Sequence, residues 1–381
     1  MSDFPVSPPP LRVLHLTGVL DRGGIESWLL NLARQQGRPE VAMDVLVVSP
    51  GSRPGTYDDD FRALGVGVTL LPPATNPLTF ALQFWQTLRR QGPYDVVHSH
   101  IHHFGGLALA LARLAGVPVR VATSHTDTSR DDGRAVGVRY AYLTLMRIAM
   151  QLGVTHRLAV TPVAARALFG PQGARDTLIS DLGLDLAALR APSDPAALRR
   201  DLELPPGQPV FGHVARLRPE KNQLFLLDIF AAYLEAFGPA QLLLIGDGPL
   251  RPEIEARVRA LGLGEQVRLL GSQSGVPALL GVMDVFLLPS LFEGRSLALL
   301  EAQVVGLPCV VSDRVQPGLP PLRNPQAVQS LPLDAPAGRW AEALATAHGR
   351  GRAEYDLAGT DIRVRAAELT ELYRRALRGE A

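Results

Sequence analysis

The length of 381 residues is enough for two domains of ordinary size, each with its own core. The 38 basic and 37 acidic residues of the chain give a formal net charge of +1, so any attraction to nucleic acid or to a membrane must come from a local patch of charge. The single cysteine, Cys309, excludes an internal disulfide framework and lies in an apolar run that favours a small buried side chain over a nucleophile. A signal-peptide pattern and a run of about 18 apolar residues are both missing from the sequence, so we expect a cytoplasmic protein.

Apolar strands alternate with helical segments, which is the pattern of parallel sheets covered on both faces. After a proline-rich tail, the first half has expected strands at 12–16, 44–48, 66–70, 96–99 and 119–123, with helices at 25–36 and 107–115. The second half has expected strands at 210–214, 241–245, 267–270, 285–288 and 308–311. The sequence therefore predicts an α/β protein with two Rossmann-like, doubly wound domains and a central cleft between them, with ligands at the carboxyl ends of the strands.

The domain boundary is expected in a proline-dense stretch, residues 190–209, which we interpret as a linker. This places an N-terminal domain at 1–189 and a C-terminal domain at 210–362.

A glycine pair, Gly23 and Gly24, follows the first strand and begins the first helix. Glycine lets a backbone approach a phosphate or an acceptor closely at a helix N-terminus. The same pair also occurs in ordinary tight strand-to-helix connections, so the two interpretations stay open at this point.

Four of the nine histidines lie in one short segment, at positions 98, 100, 102 and 103. His98, His100 and His102 could share a face only if the strand continued through them, and no acidic or cysteine ligand lies at suitable spacing, so we expect no metal. A loop that contacts the acceptor, with His103 as its candidate residue, is the preferred interpretation.

The segment 134–157 mixes apolar residues with arginines at roughly helical spacing. Such a surface could dock on anionic lipid, and a core helix with a solvated arginine edge is the alternative.

The only lysine of the chain, Lys221, lies in a turn after the strand 210–214, five residues beyond Arg216. Arginine binds two oxygens of a phosphate at once and lysine offers a compact point charge, so the pair suits a diphosphate. A solvated surface turn is the alternative. Gly246 follows the next strand, without the glycine spacing of a nicotinamide-binding motif, and is expected to shape the ligand site.

Two glutamates, Glu293 and Glu301, stand eight residues apart where the strand 285–288 gives way to a turn and a helix. If the helix starts near Arg295, its free N–H groups can hold phosphate oxygens, and the glutamates are then roughly 12 Å apart. That span suits one carboxylate on a sugar and the other on a ribose. The expected donor-binding residues of this segment are Gly294, Arg295, Ser296, Leu297 and Glu301.

Taken together, five motifs resemble the retaining family 4 glycosyltransferases of the GT-B fold, of the type that builds exopolysaccharide or capsule. They are DRGGIESWLLNLAR and YDVVHSHIHHFGG in the first half, and GHVARLRPEKN, LLLIGDGPLRPEIE and the stretch from VRLLGSQSG to LPCVVSD in the second. The resemblance covers nearly the whole chain.

The resemblance implies transfer of a hexose-type sugar from a nucleoside diphosphate, with UDP expected, to a hydroxyl of a glycan or lipid-linked acceptor, with no cofactor and no metal. It implies that Arg216 and Lys221 hold the diphosphate, that Glu293 binds sugar hydroxyls and that Glu301 binds the ribose. His125 matches the histidine that contacts the transferred sugar. The C-terminal helix, 363–378, is expected to pack back on the N-terminal domain.

One departure from the family pattern is Arg295-Ser296, where relatives carry a small apolar pair. Arg295 could add a phosphate contact, signal another donor sugar, or mark a protein that has lost the reaction. The alternatives to a transferase are therefore a non-catalytic sugar-nucleotide-binding protein and a GT-B sugar-nucleotide epimerase. Peripheral contact with the inner membrane face is a separate hypothesis, and no nucleic-acid partner is expected.

Overall fold

The computed structural model describes residues 9–36, 40–48, 53–71, 76–191, 193–316 and 326–380, and most of the proline-rich tail lies outside them. The chain divides into two compact units. Unit 1 consists of Met1–Gly183 and Ile362–Ala381, and unit 2 consists of Leu184–Asp361. Helices that could span a membrane are absent from the described residues.

The described residues of unit 1 form seven strands and eight α-helices. The strands are β1 (Leu11–Thr17), β2 (Val41–Val47), β3 (Gly67–Leu70), β4 (Val96–Ser99), β5 (Val119–Ser124), β6 (His156–Ala159) and β7 (Thr177–Ile179). The helices are α1 (Gly24–Gln35), α2 (Asp58–Ala63), α3 (Pro77–Gln91), α4 (Gly105–Leu114), α5 (Ser129–Asp132), α6 (Gly137–Gly153), α7 (Pro162–Gly173) and, at the end of the chain, α15 (Ile362–Leu377).

The sheet of unit 1 is parallel, with strand order β3-β2-β1-β4-β5-β6-β7. The order reverses direction between β1 and β4, and ligands of such sheets bind beyond the carboxyl ends of the strands at this point. His15 of β1 lies opposite His98 of β4 in the register. The central strands are apolar and buried on both faces, as parallel strands under two helical layers must be.

In unit 2, the residues that the structure describes form six strands and seven α-helices. The strands are β8 (Val210–Val214), β9 (Gln241–Ile245), β10 (Val267–Gly271), β11 (Val285–Leu288), β12 (Cys309–Ser312) and β13 (Val328–Leu331). The helices are α8 (Leu186–Leu189), α9 (Pro195–Asp201), α10 (Gln223–Phe237), α11 (Arg251–Ala260), α12 (Val276–Val282), α13 (Leu297–Val304) and α14 (Ala337–Arg350). The sheet is parallel, in the order β10-β9-β8-β11-β12-β13, so its direction reverses between β8 and β11.

The predicted fold class is confirmed, because both units are doubly wound parallel sheets. The boundary differs in detail, since unit 2 begins at Leu184, before the segment predicted to be a linker. Within that segment, helix α9 begins after Asp194, whose side chain accepts a hydrogen bond from the Ala197 amide, and residue 192 lies outside the described residues. Pro195 occupies the first turn of α9, a position that favours proline. Part of this proline-dense stretch is therefore helical and not irregular.

Candidate functional site

The turn after β8 carries the two predicted cations of unit 2. Arg216 is half-buried, and its carbonyl oxygen accepts a hydrogen bond of 2.9 Å from the Gln223 side chain at the start of α10. Lys221 ends a short 3₁₀ turn, Pro219–Lys221, after which Asn222 adopts a left-handed conformation. Asparagine tolerates that conformation, and its side-chain amide donates to the Pro289 carbonyl oxygen at 3.1 Å. The lysine is therefore fixed beside the end of β11.

Lys221 and Glu293 form an ion pair, with 2.6 Å between Nζ and Oε1. Ser290, which is buried just after β11, donates to the same carboxylate oxygen at 3.1 Å. Both charged side chains are largely buried, where a charge needs a partner. The structure thus brings together two predicted site residues that lie 72 positions apart in the sequence.

The Gly246 loop supports the turn that carries Arg216. Gly246 has φ of +130°, and a Cβ atom there would lie 1.9 Å from the Ala215 carbonyl oxygen. The Leu217 amide donates to the Asp247 carbonyl oxygen at 2.9 Å, which joins the two loops. Only glycine fits at position 246, because any side chain would push the Arg216 turn away.

Helix α13 begins at Leu297, two residues later than predicted. Ser296 is the residue that sets this start, since its hydroxyl oxygen accepts from the Leu299 amide at 3.4 Å and caps the helix. Gly294 and Arg295 lie in the preceding turn and are half-buried. The segment from Glu293 to Leu297 therefore joins the end of β11 to a helix N-terminus, where free amides favour anions.

Glu301 lies on α13, one turn beyond its start. Burial raises the pKa of its carboxyl group to about 7. Within the described part of the chain the carboxylate has neither an ion pair nor a side-chain hydrogen bond. A largely desolvated carboxylate of this kind is a strong acceptor for hydroxyl groups.

In unit 1, Gly23 and Gly24 form the junction between the β1 loop and α1. Gly23 has an extended backbone with φ of −152°, and Gly24 is the first helical residue. An extended backbone does not itself require glycine, so close approach of a ligand stays a prediction for this pair.

Three histidines of unit 1 form a chain of hydrogen bonds. His15 Nδ1 lies 3.0 Å from His100 Nε2, and His100 Nδ1 lies 2.9 Å from His125 Nε2. Burial lowers the pKa of His15 and of His125 to about 3, and that of His100 well below its usual value. The predicted site residue His125 is therefore neutral, and its Nε2 is held by the buried ring of His100, which is held in turn by His15.

A fourth histidine, His98, lies beside this chain. Its Nδ1 is 2.6 Å from the hydroxyl of Tyr373 on α15, and its Nε2 is 2.6 Å from the Thr123 hydroxyl. His15, His98 and His100 each bring one ring nitrogen within 4.8 Å of the others, which is close enough for a shared metal ion. Their hydrogen bonds already account for every ring nitrogen except His15 Nε2, and within the described parts of the chain no carboxylate or thiolate joins the group.

His103, the candidate acceptor residue, turns away from these rings. The strand ends at Ser99, and His102 adopts a left-handed conformation with φ of 50° at the start of a 3₁₀ turn. His103 Nε2 then lies 2.7 Å from Asp132 Oδ2. Burial alone would raise the pKa of Asp132, but the hydrogen bonds from Thr128 and His103 outweigh it and the pKa is lowered.

Sequence reasoning missed four residues that position the predicted ones. They are His15, Ser290, Asp132 and Tyr373. A histidine between leucines in a central parallel strand was a usable signal for His15, because a polar side chain there must find a buried partner. Ser290 lies only three residues before Glu293, whereas Asp132 and Tyr373 lie 29 and 275 positions from His103 and His98, so no local pattern marks those two.

Two doubly wound parallel sheets, each with charged or hydrogen-bonding groups at the carboxyl ends of its strands, define a protein of the GT-B fold. The family described as glycosyl transferases group 1 matches residues 194–320, and the glycosyl transferase 4-like domain matches residues 23–180. The chain belongs to this family, the family 4 glycosyltransferases of the GT-B fold.

Individual relatives agree with this assignment. The chain is 36% identical over 351 residues to EpsF of Bacillus subtilis (strain 168), a protein named as a glycosyltransferase. The matched region covers 90% of this chain and 88% of EpsF. It is 29% identical over 289 residues to UDP-Gal:alpha-D-GlcNAc-diphosphoundecaprenol alpha-1,3-galactosyltransferase of Escherichia coli, covering 72% and 73% of the two chains. Among solved structures, Anabaena HepE in complex with UDP and glucose superposes with a TM-score of 0.73 at 19% identity, over 97% of this chain and 98% of HepE.

Proposed function

We propose that this chain is a metal-independent, retaining glycosyltransferase that moves a hexose-type sugar from a UDP-sugar to a hydroxyl of a glycan or lipid-linked acceptor in cell-surface polysaccharide synthesis. The name of the E. coli relative specifies UDP-galactose and a diphosphoundecaprenol acceptor, and HepE was solved with UDP and with UDP-glucose. Another relative, CapH of Staphylococcus aureus, is named for capsular polysaccharide biosynthesis. These names support the donor and acceptor classes.

The observation that carries the proposal is the arrangement of unit 2 around the start of α13. The Lys221–Glu293 ion pair lies beyond the carboxyl ends of β8 and β11, just before α13 begins. Glu301 lies on α13, one turn beyond its start. A diphosphate would bind Lys221, Arg216 and the free amides of α13, with the ribose hydroxyls on Glu301 and the sugar hydroxyls on Glu293. Gly294, Arg295, Ser296 and Leu297 would line the same ligand.

These residues would accelerate transfer by stabilising the leaving group. Negative charge grows on the β-phosphate as the glycosidic bond breaks, and Arg216 and Lys221 would offset it, which is an electrostatic contribution usually large in catalysis. The acceptor hydroxyl would give its proton to a β-phosphate oxygen, so the protein needs no separate base. His125 would contact the transferred sugar, and His103 would contribute to acceptor binding.

Nucleotide binding tests this proposal directly. We expect UDP to bind with micromolar affinity in calorimetry, more tightly than GDP or ADP, and Glu301→Ala and Lys221→Ala to weaken it. Glu253→Ala, an exposed position on α11, is the matched control and leaves the affinity unchanged. If none of the three nucleotides bound, a sugar-nucleotide enzyme and a sugar-nucleotide sensor would both be excluded.

Turnover separates the remaining alternatives. Incubation with a UDP-hexose and a polyprenyl-diphosphate sugar is expected to yield a disaccharide whose new linkage keeps the anomeric configuration of the donor, as judged by NMR. Conversion of the donor into its epimer would identify an epimerase instead, and binding without conversion would identify a sensor.

Helix α6 supports peripheral contact with anionic lipid. It has a buried apolar face, which includes Leu143, Met146 and Met150, and a second apolar face that points outward. Val138, Leu145 and Leu152 recur every seven residues on this outer face and are 89%, 60% and 58% exposed. Arg134 is exposed nearby, and the segment 134–157 contains no acidic residue. Exposed apolar side chains among arginines match the surface of an anionic bilayer.

Vesicle co-sedimentation tests the lipid contact. We expect binding to phosphatidylglycerol-containing vesicles and much weaker binding to phosphatidylcholine vesicles. Leu145→Glu should abolish the binding, while Leu82→Glu, at an equally exposed leucine on α3, should not. Equal sedimentation of both variants would remove α6 as the contact.

A further inference from the structure

The three-histidine chain of unit 1, His15–His100–His125, restricts the protons that its members can carry. Among the residues that the structure describes, two ring nitrogens of this three-histidine chain have no hydrogen-bond partner, His15 Nε2 at one end and His125 Nδ1 at the other. The two inner contacts, of 3.0 Å and 2.9 Å, each require one N–H donor and one bare nitrogen. A neutral imidazole has one N–H, so fixing the proton on one ring fixes it on all three.

Only two arrangements satisfy both contacts with neutral rings. In the first, His15 Nδ1–H donates to His100, His100 Nδ1–H donates to His125, and His125 presents an outer Nδ1–H. In the second, every donation runs the other way, all three protons are on Nε2, and His125 presents a bare outer Nδ1. The three rings therefore share one tautomer in either case.

The surroundings of the two chain ends favour the first arrangement. The end that carries the N–H needs an acceptor, and orphaned buried N–H groups are rarer than orphaned acceptors. His15 is 0% exposed in the middle of the sheet, whereas His125 is 9% exposed at the carboxyl end of β5. Both outer nitrogens are themselves buried. Only His125 lies at the carboxyl end of a strand, where ligands of doubly wound sheets bind, so an acceptor supplied by a bound ligand would meet that end of the three-histidine chain.

We propose that His15 and His100 are positioning residues that hold His125 as the Nδ1–H tautomer, so that His125 donates a hydrogen bond to an oxygen of a bound ligand. Under the proposed function, on which this last step rests, that oxygen is a hydroxyl of the transferred sugar. His125 then acts as a neutral donor and never as a base. The depressed pKa values agree with rings that stay neutral at ordinary pH.

The neighbours of the chain hold its geometry without competing for its protons. The Trp28 ring packs edge-on against His100, with 5.6 Å between centroids, and lies 6.0 Å from the His125 ring. His98 contacts the rings of His15 and His100 but uses both of its nitrogens on Tyr373 and Thr123. The proton direction therefore depends on the two ends of the three-histidine chain and not on His98 or Trp28.

Two-bond ¹H–¹⁵N correlation spectra of the ¹⁵N-histidine-labelled full chain test the proposal, because they report which ring nitrogen carries the proton. Signals are assigned with single His→Asn variants. We expect His15, His100 and His125 all to be protonated at Nδ1 and bare at Nε2. A mixed set of tautomers, a shared Nε2–H tautomer, a doubly protonated ring, or stoichiometric zinc in the purified protein would each overturn it.

Substitution of the remote His15 tests the coupling to His125. His15→Leu removes the first donor, and we expect the His125 signal to lose its single tautomer, with kcat falling about tenfold, the value of one hydrogen bond, at unchanged donor KM. His15→Asn keeps an N–H donor near the Nδ1 position and should restore both. His156→Asn, a substitution outside the three-histidine chain, is the control.

An unchanged His125 tautomer in His15→Leu would disprove the coupling, even if the variant lost activity. The spectra need no substrate, so a failure of UDP to bind would reject the proposed function and leave the tautomer result standing.

Discussion

Paired and unpaired carboxylates occupy different positions in unit 2 and should respond differently to substitution. Glu293 is partly buried against Lys221 and Ser290, whereas Glu301 is partly buried without such partners and desolvation of its carboxyl group raises its pKa to about 7. Removing one member of a buried pair leaves a charge without its partner, while neutralising an unpaired buried carboxylate removes a desolvation cost. The two glutamates are therefore expected to have opposite effects on stability.

The first prediction concerns the Lys221–Glu293 pair. Lys221→Met and Glu293→Gln should each destabilise the protein, and the double variant should lose less than the sum, with a coupling energy of about 1 to 3 kcal/mol. Denaturant unfolding of the four proteins measures this energy. Simple additivity would show that the 2.6 Å contact contributes nothing to stability.

The second prediction concerns the pH dependence conferred by Glu301. Its pKa is raised from 4.5 to about 7, so the folded protein keeps a proton that the unfolded chain releases between these values. The free energy of unfolding therefore falls as pH rises from 4.5 to 7 and stays at the lower value above that range. Glu301→Gln removes this loss.

We expect Glu301→Gln to be more stable than the natural chain at pH 8, by roughly 1 to 3 kcal/mol, and equally stable at pH 4.5. Its affinity for UDP should nevertheless fall, because an amide is a weaker acceptor for ribose hydroxyls. Urea midpoints at the two pH values and calorimetry provide the measurements, and equal stability at pH 8 would contradict the raised pKa.

At the scale of elements, glycines set how closely neighbouring segments approach. Gly246 places the β9 loop against the turn after β8, and Gly106 places α4 against α6. A Cβ atom at Gly106 would lie 2.3 Å from the Met146 carbonyl oxygen, which is backbone and cannot rotate away. Both contacts are between main chains, so a side chain must displace a whole element.

The third prediction is that Gly246→Ala disturbs the Arg216 turn. The new Cβ would meet the Ala215 carbonyl oxygen, and φ of +130° is strained for alanine, so we expect a loss of about 2 to 4 kcal/mol in stability. UDP affinity should fall about tenfold as Arg216 moves. Gly264→Ala, where the added methyl meets nothing within 4 Å, is the control for both measurements.

The fourth prediction is that Gly106→Ala separates α4 from α6. We expect a loss of about 1 to 3 kcal/mol and faster amide exchange in α6, measured by mass spectrometry. Gly338→Ala, which adds a methyl into open space, should change neither. Unaltered exchange in α6 would mean that the helices adjust without separating.

At the scale of the whole molecule, unit 1 is built from two distant stretches of chain. Helix α15 returns to it, with Tyr373 fully buried against His98 and with the Gln36 side chain donating to the Thr370 hydroxyl at 3.1 Å. The last helix is thus part of the core beside the histidines.

The fifth prediction follows from this return of the chain. A protein that ends at Asp361 should lose amide protection throughout β1 and β4, while the strands of unit 2 stay protected, because only unit 1 loses core residues. Hydrogen exchange measures both units in one experiment, and Val364→Ala, at an exposed position of α15, is the control. Preserved protection of β1 in the shortened chain would refute this account.

The strands of the central sheets were predictable because their signal is local. The bounds of β4, β8, β9 and β11 agree with prediction, since each is a short apolar run ended by a turn, and burial on both faces makes such a run unambiguous. Strands β6, β7 and β13 were not predicted. They are three or four residues long and carry polar side chains, so only pairing with a neighbour defines them.

The sequence by itself determined which residue types stand at the ends of the strands, because turns, caps and apolar runs act over a few residues. It therefore placed Arg216, Lys221 and Glu293 after the ends of strands and predicted the start of α13 to within two residues. Only the tertiary structure decided that Lys221 pairs with Glu293, and that His15, His100 and His125 form one chain. Such contacts depend on the order of the strands in each sheet and on a helix that returns from a distant part of the chain. Neither can be read from the side chains of a short segment.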